Sequence, residues 1–108
     1  VADISALSNE TIWQEVTMTH PVAGAQDLRP YDVEMAFTVF GENPTDSDWI
    51  TAAWEDEPNS DGEYLAYAEI GPNSPTQLEL AAGLYRIWLR ITLATETPVI
   101  GGDTINVY

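Results

Sequence analysis

The sequence predicts an all-β protein, an antiparallel β-sandwich of about seven strands, on three observations. Apolar and polar residues alternate at period two, most regularly over residues 31–40 (YDVEMAFTVF) and 83–92 (GLYRIWLRIT). Clusters of Gly, Pro, Asn, Asp and Ser at 41–48, 55–62 and 71–75 separate the apolar segments, and these are the residues that turns select. Apolar residues at helical three-and-four spacing are missing; the best stretch, 76–82, runs into Gly83 and strict alternation.

Residues 1–10 are expected to form an N-terminal arm, extended or a short edge strand, from which Ile4 and Leu7 pack; 11–108 form the sandwich. Residues 11–19 (TIWQEVTMT) read as a strand with Ile12, Val16 and Met18 on one face, interrupted by Gln14, and Trp13, Glu15 and Thr17 on the other. Residues 20–30, punctuated by Pro21 and Pro30, read as a loop. In 31–40, Val33, Met35, Phe37 and Val39 point inward, with Asp32, Glu34, Ala36 and Thr38 outward, and Gly41 ends the strand. After a turn, 49–54 (WITAAW) places Ile50, Ala52 and Trp54 on one side. Residues 64–70 (YLAYAEI) are a strand with apolar residues on both faces, so either Leu65 with Tyr67, or Tyr64 with Ala66, Ala68 and Ile70, faces the core.

Residues 78–93 (LELAAGLYRIWLRITL) read as two strands and the bend between them. Tyr85, Ile87, Leu89, Ile91 and Leu93 share the inner face, and Leu84, Arg86, Trp88, Arg90 and Thr92 the outer. A last strand runs through Val99, Ile105 and Val107, and Gly101 with Gly102 marks a bulge or tight bend. The size and strand count fit an immunoglobulin-like sandwich, in which a tyrosine at the start of the sixth strand hydrogen-bonds back across the corner. Tyr85 stands there, Gly83 makes the bend into it, Ile87 replaces the cysteine found two residues later in antibody domains, and Trp54 is a core residue.

Eighteen acidic residues against three arginines and no lysine give a formal net charge of −15 in 108 residues. A phosphate backbone or an anionic membrane needs a basic surface, so neither nucleic acid nor membrane is an expected partner. The charge favours solubility and repels copies of the chain; a high-salt cytoplasm would also account for it. Without cysteine there is no disulfide or thiolate chemistry. The acidic N-terminus lacks a basic region followed by an apolar run, so no secretory signal is expected, and the Asn9-Glu10-Thr11 sequon reads as chance.

Catalysis is hard to assemble from one histidine, His20, set beside Pro21 and read as an exposed turn residue; no enzyme activity and no cofactor are expected. Glu57, Asn59, Asp61 and Gly62 partly match a calcium loop, but Ala68 stands where the bidentate glutamate belongs and a strand follows where the motif has a helix, so no metal site is expected. The tryptophans are more informative. Trp13 and Trp88 lie on faces opposite their strands' apolar sets, and Arg86, Trp88, Arg90 and Trp13 are the candidate interface, being residue types enriched at hot spots. The bland alternative is that each indole covers the sheet together with an arginine stem. A sugar platform needs a second aromatic beside the first, and none is securely placed by sequence.

The order Asp48 and Trp49, Trp54, YLAYAEIGP at 64–72, GLYRIWLRIT at 83–92, then Glu96, Pro98 and Val99 before a final INV resembles a group of small proteins encoded among the head genes of actinobacterial tailed phages and prophages. That group has a tryptophan-bearing strand, a tyrosine-rich strand ending in Gly-Pro, a Gly-x-Tyr-x-x-Trp-x-Arg strand and a Glu-x-Pro-Val turn. The resemblance covers roughly the C-terminal 60 residues; NSP after the Gly-Pro and a longer acidic, threonine-bearing linker before Pro98 depart from it. It implies a non-enzymatic virion protein made in the host cytoplasm, a capsid decoration or accessory head protein. Its partner would be the major capsid protein or another virion protein. An acidic monomer or small homo-oligomer would dock through a strand edge and aromatic or arginine anchors, many weak copies adding by multivalency, with the arm ordering on docking. A tail or head–tail module, or a cellular adhesion or carbohydrate-binding sandwich, are the alternatives.

Overall fold

In the computed structural model, which describes residues 2–6, 9–16, 19–20, 24–25, 28–57, 63–76, 78–93 and 97–108, the period-two segments are strands. In chain order these are β1 (Ala2–Ile4), β2 (Glu10–Val16), β3 (Thr19–His20), β4 (Gly24–Ala25), β5 (Asp32–Val39), β6 (Ile50–Trp54), β7 (Tyr64–Ile70), β8 (Gly83–Thr92) and β9 (Val99–Val107). Seven form one sheet in the order β1-β9-β8-β5-β6-β7-β2, while β3 and β4 pair only with each other. The fold is all-β and sandwich-like, nearly closed like a barrel.

The sheet turns over at β6. Ile50 and Ala52 pair with Met35 and Val33 of β5, whereas Ala53 and Trp54 pair with Tyr67 and Ala66 of β7, so one strand belongs to both layers. β9, β8 and β5 make one layer with β1, and β7 and β2 the other. All pairings are antiparallel except β1 with β9, which makes the sheet mixed. β8 is the sixth of the seven sheet strands in chain order.

Alternation places the core where the pattern puts it. Ile12 and Val16, Val33, Met35 and Phe37, Ile87, Leu89 and Ile91, and Ile105 and Val107 are buried in one cluster. β7 turns Ala66, Ala68 and Ile70 inward, which settles its orientation in favour of the Tyr64 set. The glycine pair does produce a bulge: Arg86 faces Thr104 but Trp88 faces Gly101, so β9 carries one residue more than β8 in between.

Residues 2–4 form a short edge strand beside β9 with Ile4 buried, one of the two forms expected of this segment. Other expectations are corrected. Val39 is 54 % exposed, at the end of β5 that extends past its pairing with β6, which ends at Met35. Ala36 and Thr38, on the outward face of β5, are buried. Residues 78–82 are not a strand: Leu78 accepts one backbone bond from Gly71 at 2.8 Å, and Leu78 and Leu80 pack against the core from a connection. Leu28, in the segment read as loop, is fully buried. Leu7, Thr17, Met18 and Glu96 lie outside the described residues.

Candidate interface

Tyr85 enters β8 with its hydroxyl donating to the Ala81 carbonyl at 2.8 Å, the corner bond its position predicts. Gly83, at φ +155°, starts the strand in a conformation that side chains disfavour. Ile87 is buried in the core. Trp54 is half-buried against the core, and its indole N–H donates to the Tyr31 carbonyl at 2.8 Å. These four residues build the framework that holds the outer faces.

On the outer face of β8, cross-strand neighbours decide what each side chain does. Trp88 lies between Ala36 on β5 and Gly101 on β9, two small residues that let the indole lie down on the sheet. Its N–H donates to Thr38 Oγ1 at 2.9 Å, and that hydroxyl donates to the Glu42 carbonyl at 2.9 Å. Trp88 is why Ala36 and Thr38 are buried. The Arg86 guanidinium stacks over the Trp88 ring at 4.8 Å and donates to the Gly102 carbonyl at 3.4 Å. A Cβ on Gly101 would stand 2.5 Å from Arg86 Nη2, so this glycine is the floor for the guanidinium. Arg90 pairs with Glu34 at 2.8 Å and lies over Trp49 at 4.6 Å. That ion pair is part-solvated, so it is worth about 1 kcal/mol or less.

Arg86, Trp88 and Arg90 are thus brought together, but largely as a cover for their own sheet. Trp13 is elsewhere. It stands on the outer face of the β7–β2 layer, 46 % exposed, opposite Tyr67 in the ladder, with ring centroids 5.0 Å apart and planes tilted by 40°. The second aromatic that sequence could not place is therefore beside Trp13, not Trp88.

A further apolar group went unrecognised in the sequence. Phe40 and Leu84, 57 % and 42 % exposed, meet through the Phe40 N–H to Leu84 carbonyl bond of 3.0 Å, at the end of the face that carries Trp88. Leu84 was assigned to that face, but Phe40 follows the strand's last residue, and only the β5–β8 register shows that the two are neighbours.

Among the described residues no group of three His, Asp or Glu side chains is gathered as a metal site needs. The partial calcium match cannot be placed, since Asn59, Asp61 and Gly62 lie outside the described residues. His20 pairs through its backbone with Gly24 in the small β3–β4 hairpin. Among the described residues no helix is long and apolar enough to cross a membrane. No family, curated protein or solved structure matches the chain. The likeness to phage head proteins therefore rests on the motifs alone.

Proposed function

We propose that the chain is a non-enzymatic virion protein of a tailed phage, a capsid decoration or accessory head protein that docks onto the assembled particle. The observation that carries this reading is that exposed large apolar side chains stand beside others instead of singly, Phe40 next to Leu84 and Trp13 next to Tyr67. Such residues serve contact with another protein better than they serve a solvated monomer. The motif resemblance supplies the class of particle. Its described residues fall on β6, β7, β8, β9 and the turns beside them, which is the scaffold, and the proposed docking surfaces stand on or beside that scaffold.

The labelled chain, added to purified heads from a phage whose own copy of the gene is deleted, should sediment with them saturably, at a fixed ratio to the major capsid protein. Mass spectrometry of wild-type virions should find it. A chain that stays in the supernatant and is absent from purified virions overturns the proposal.

A further inference from the structure

All the cations of this chain are arginines, and each already lies on an aromatic ring of its own. Arg29 sits over Tyr64 at 5.7 Å, Arg86 over Trp88 at 4.8 Å and Arg90 over Trp49 at 4.6 Å. None of the three lies over the pair formed by exposed Trp13 and half-buried Tyr67. Along the outer face of the β7–β2 layer, the register sets Glu15 against Leu65 on one side of the pair and Glu69 against Thr11 on the other. Glu55, whose N–H bonds the Leu65 carbonyl at 2.9 Å, lies beyond Leu65. Beside Tyr67, where β6 leaves β7 for β5, a groove of about 390 Å³ opens, lined among others by Thr11, Ala53, Glu69 and Pro75.

Aromatic faces between carboxylates attract a cation twice over, through the ring quadrupole and through charge-assisted hydrogen bonds. An arginine or lysine also has an aliphatic stem that a groove of this kind can cover. We propose that this face docks an extended, arginine- or lysine-bearing segment of a partner protein, with a basic side chain lying over Trp13 and Tyr67 and its head reaching Glu69 or Glu15. The charge balance selects the partner. A second copy brings −15 of its own, no lysine, and only arginines that are already stacked and bonded. Nucleic acid is repelled outright. A basic protein segment is steered in by the whole field of the molecule.

This inference rests on the reading of the chain as a docking module and adds the chemistry of what docks. The probe is the peptide acetyl-(Arg-Gly)₃-amide, followed by amide NMR shifts and tryptophan fluorescence at low salt, with acetyl-(Gln-Gly)₃-amide as the neutral control. The expected result is saturable binding of the arginine peptide alone, with the largest shifts at the Trp13 indole and at residues 11–15 and 65–69. Trp13→Ala should weaken it about tenfold, and Trp13→Phe by less. Glu69→Gln should weaken it about threefold and flatten its salt dependence, while Glu42→Gln, in the exposed turn after β5, leaves it unchanged. Equal affinity in Trp13→Ala and the parent, or shifts centred on another face, overturns the site. So does Trp13-dependent binding of a neutral glycan with none of the peptide, which would make the pair a sugar platform. Should Trp13→Ala fail to fold, unchanged binding in both Trp13→Phe and Glu69→Gln overturns it equally. A chain that binds the peptide but not phage heads keeps this site and loses the virion role. One that sediments with heads but ignores the peptide does the reverse.

Discussion

Gln14 sits on the buried face of β2 between Ile12 and Val16, and its amide spans the gap between the two ends of the sheet. Its Oε1 accepts from the Asp103 N–H at 2.8 Å, while Nε2 donates to the Glu15 carbonyl at 2.9 Å. A polar residue in a core position is tolerable only when its groups are paired, and here the pairing also joins β2 to β9. Gln14→Leu should lower stability by about 1–3 kcal/mol, read from the denaturant midpoint, because the Asp103 N–H is left without its acceptor. Gly102 is the space Gln14 occupies: a Cβ there would collide with the Gln14 amide. Gly102→Ala and Gln14→Ala should therefore cost less together than the sum of their separate effects, since both remove one interaction. Additive effects would mean that the bridge does not form. At the other end of the core, Tyr85→Phe removes a single hydrogen bond and should cost about 1 kcal/mol; an unchanged midpoint would show the corner bond to be idle.

β8 is the element on which two jobs meet. Its inner residues Ile87, Leu89 and Ile91 are among the most buried of the chain, and its outer residues form the Arg86–Trp88–Arg90 cover. Strand alternation makes that division legible from sequence, because the period of two assigns each residue a face. What each outer residue touches was not legible, because it depends on the residues that face it across β5 and β9. Ala36 and Gly101, both small, let Trp88 settle onto the sheet, and Thr38 gives its N–H an acceptor. Trp88→Ala is therefore a stability variant before it is a binding variant. We expect a loss of about 2 kcal/mol, below the cost for a fully buried indole since Trp88 is only half-buried, and Trp88→Phe should lose about 1 kcal/mol with the N–H bond. If thermal melts of Trp88→Ala match the parent, the indole is not packed as described.

At the scale of the whole molecule, 18 acidic residues against three arginines repel one another in the compact state. One such ion pair, between Glu34 and Arg90, relieves little of this. Screening should therefore stabilise the fold. Raising sodium chloride from about 0.05 M to about 0.5 M should lift the melting temperature by a few degrees, and a melting temperature that falls would show that attractive pairs dominate. The same screening should weaken capture of a basic peptide, so stability and docking should respond to salt with opposite signs.

Period-two patterning and turn residues were enough to determine an all-β sandwich, the inner residues Val33, Met35 and Phe37 of β5 and Ile87, Leu89 and Ile91 of β8, the corner position of Tyr85 and an irregularity at the glycine pair. Each follows from local stereochemistry, which sequence contains in full. Leu28 was not among them, because a single apolar residue in a proline-flanked segment has no period to betray it. Neither was the crossing of β6 between layers, nor the closure by Gln14, whose amide looked like an interruption and is a bridge. Tertiary structure alone decided that Trp88 covers its own sheet while Trp13 stands exposed beside Tyr67. The reason is physical: which faces are left open depends on the size and register of residues brought opposite from distant parts of the chain, and an alternating pattern fixes the side of a residue but not its neighbour.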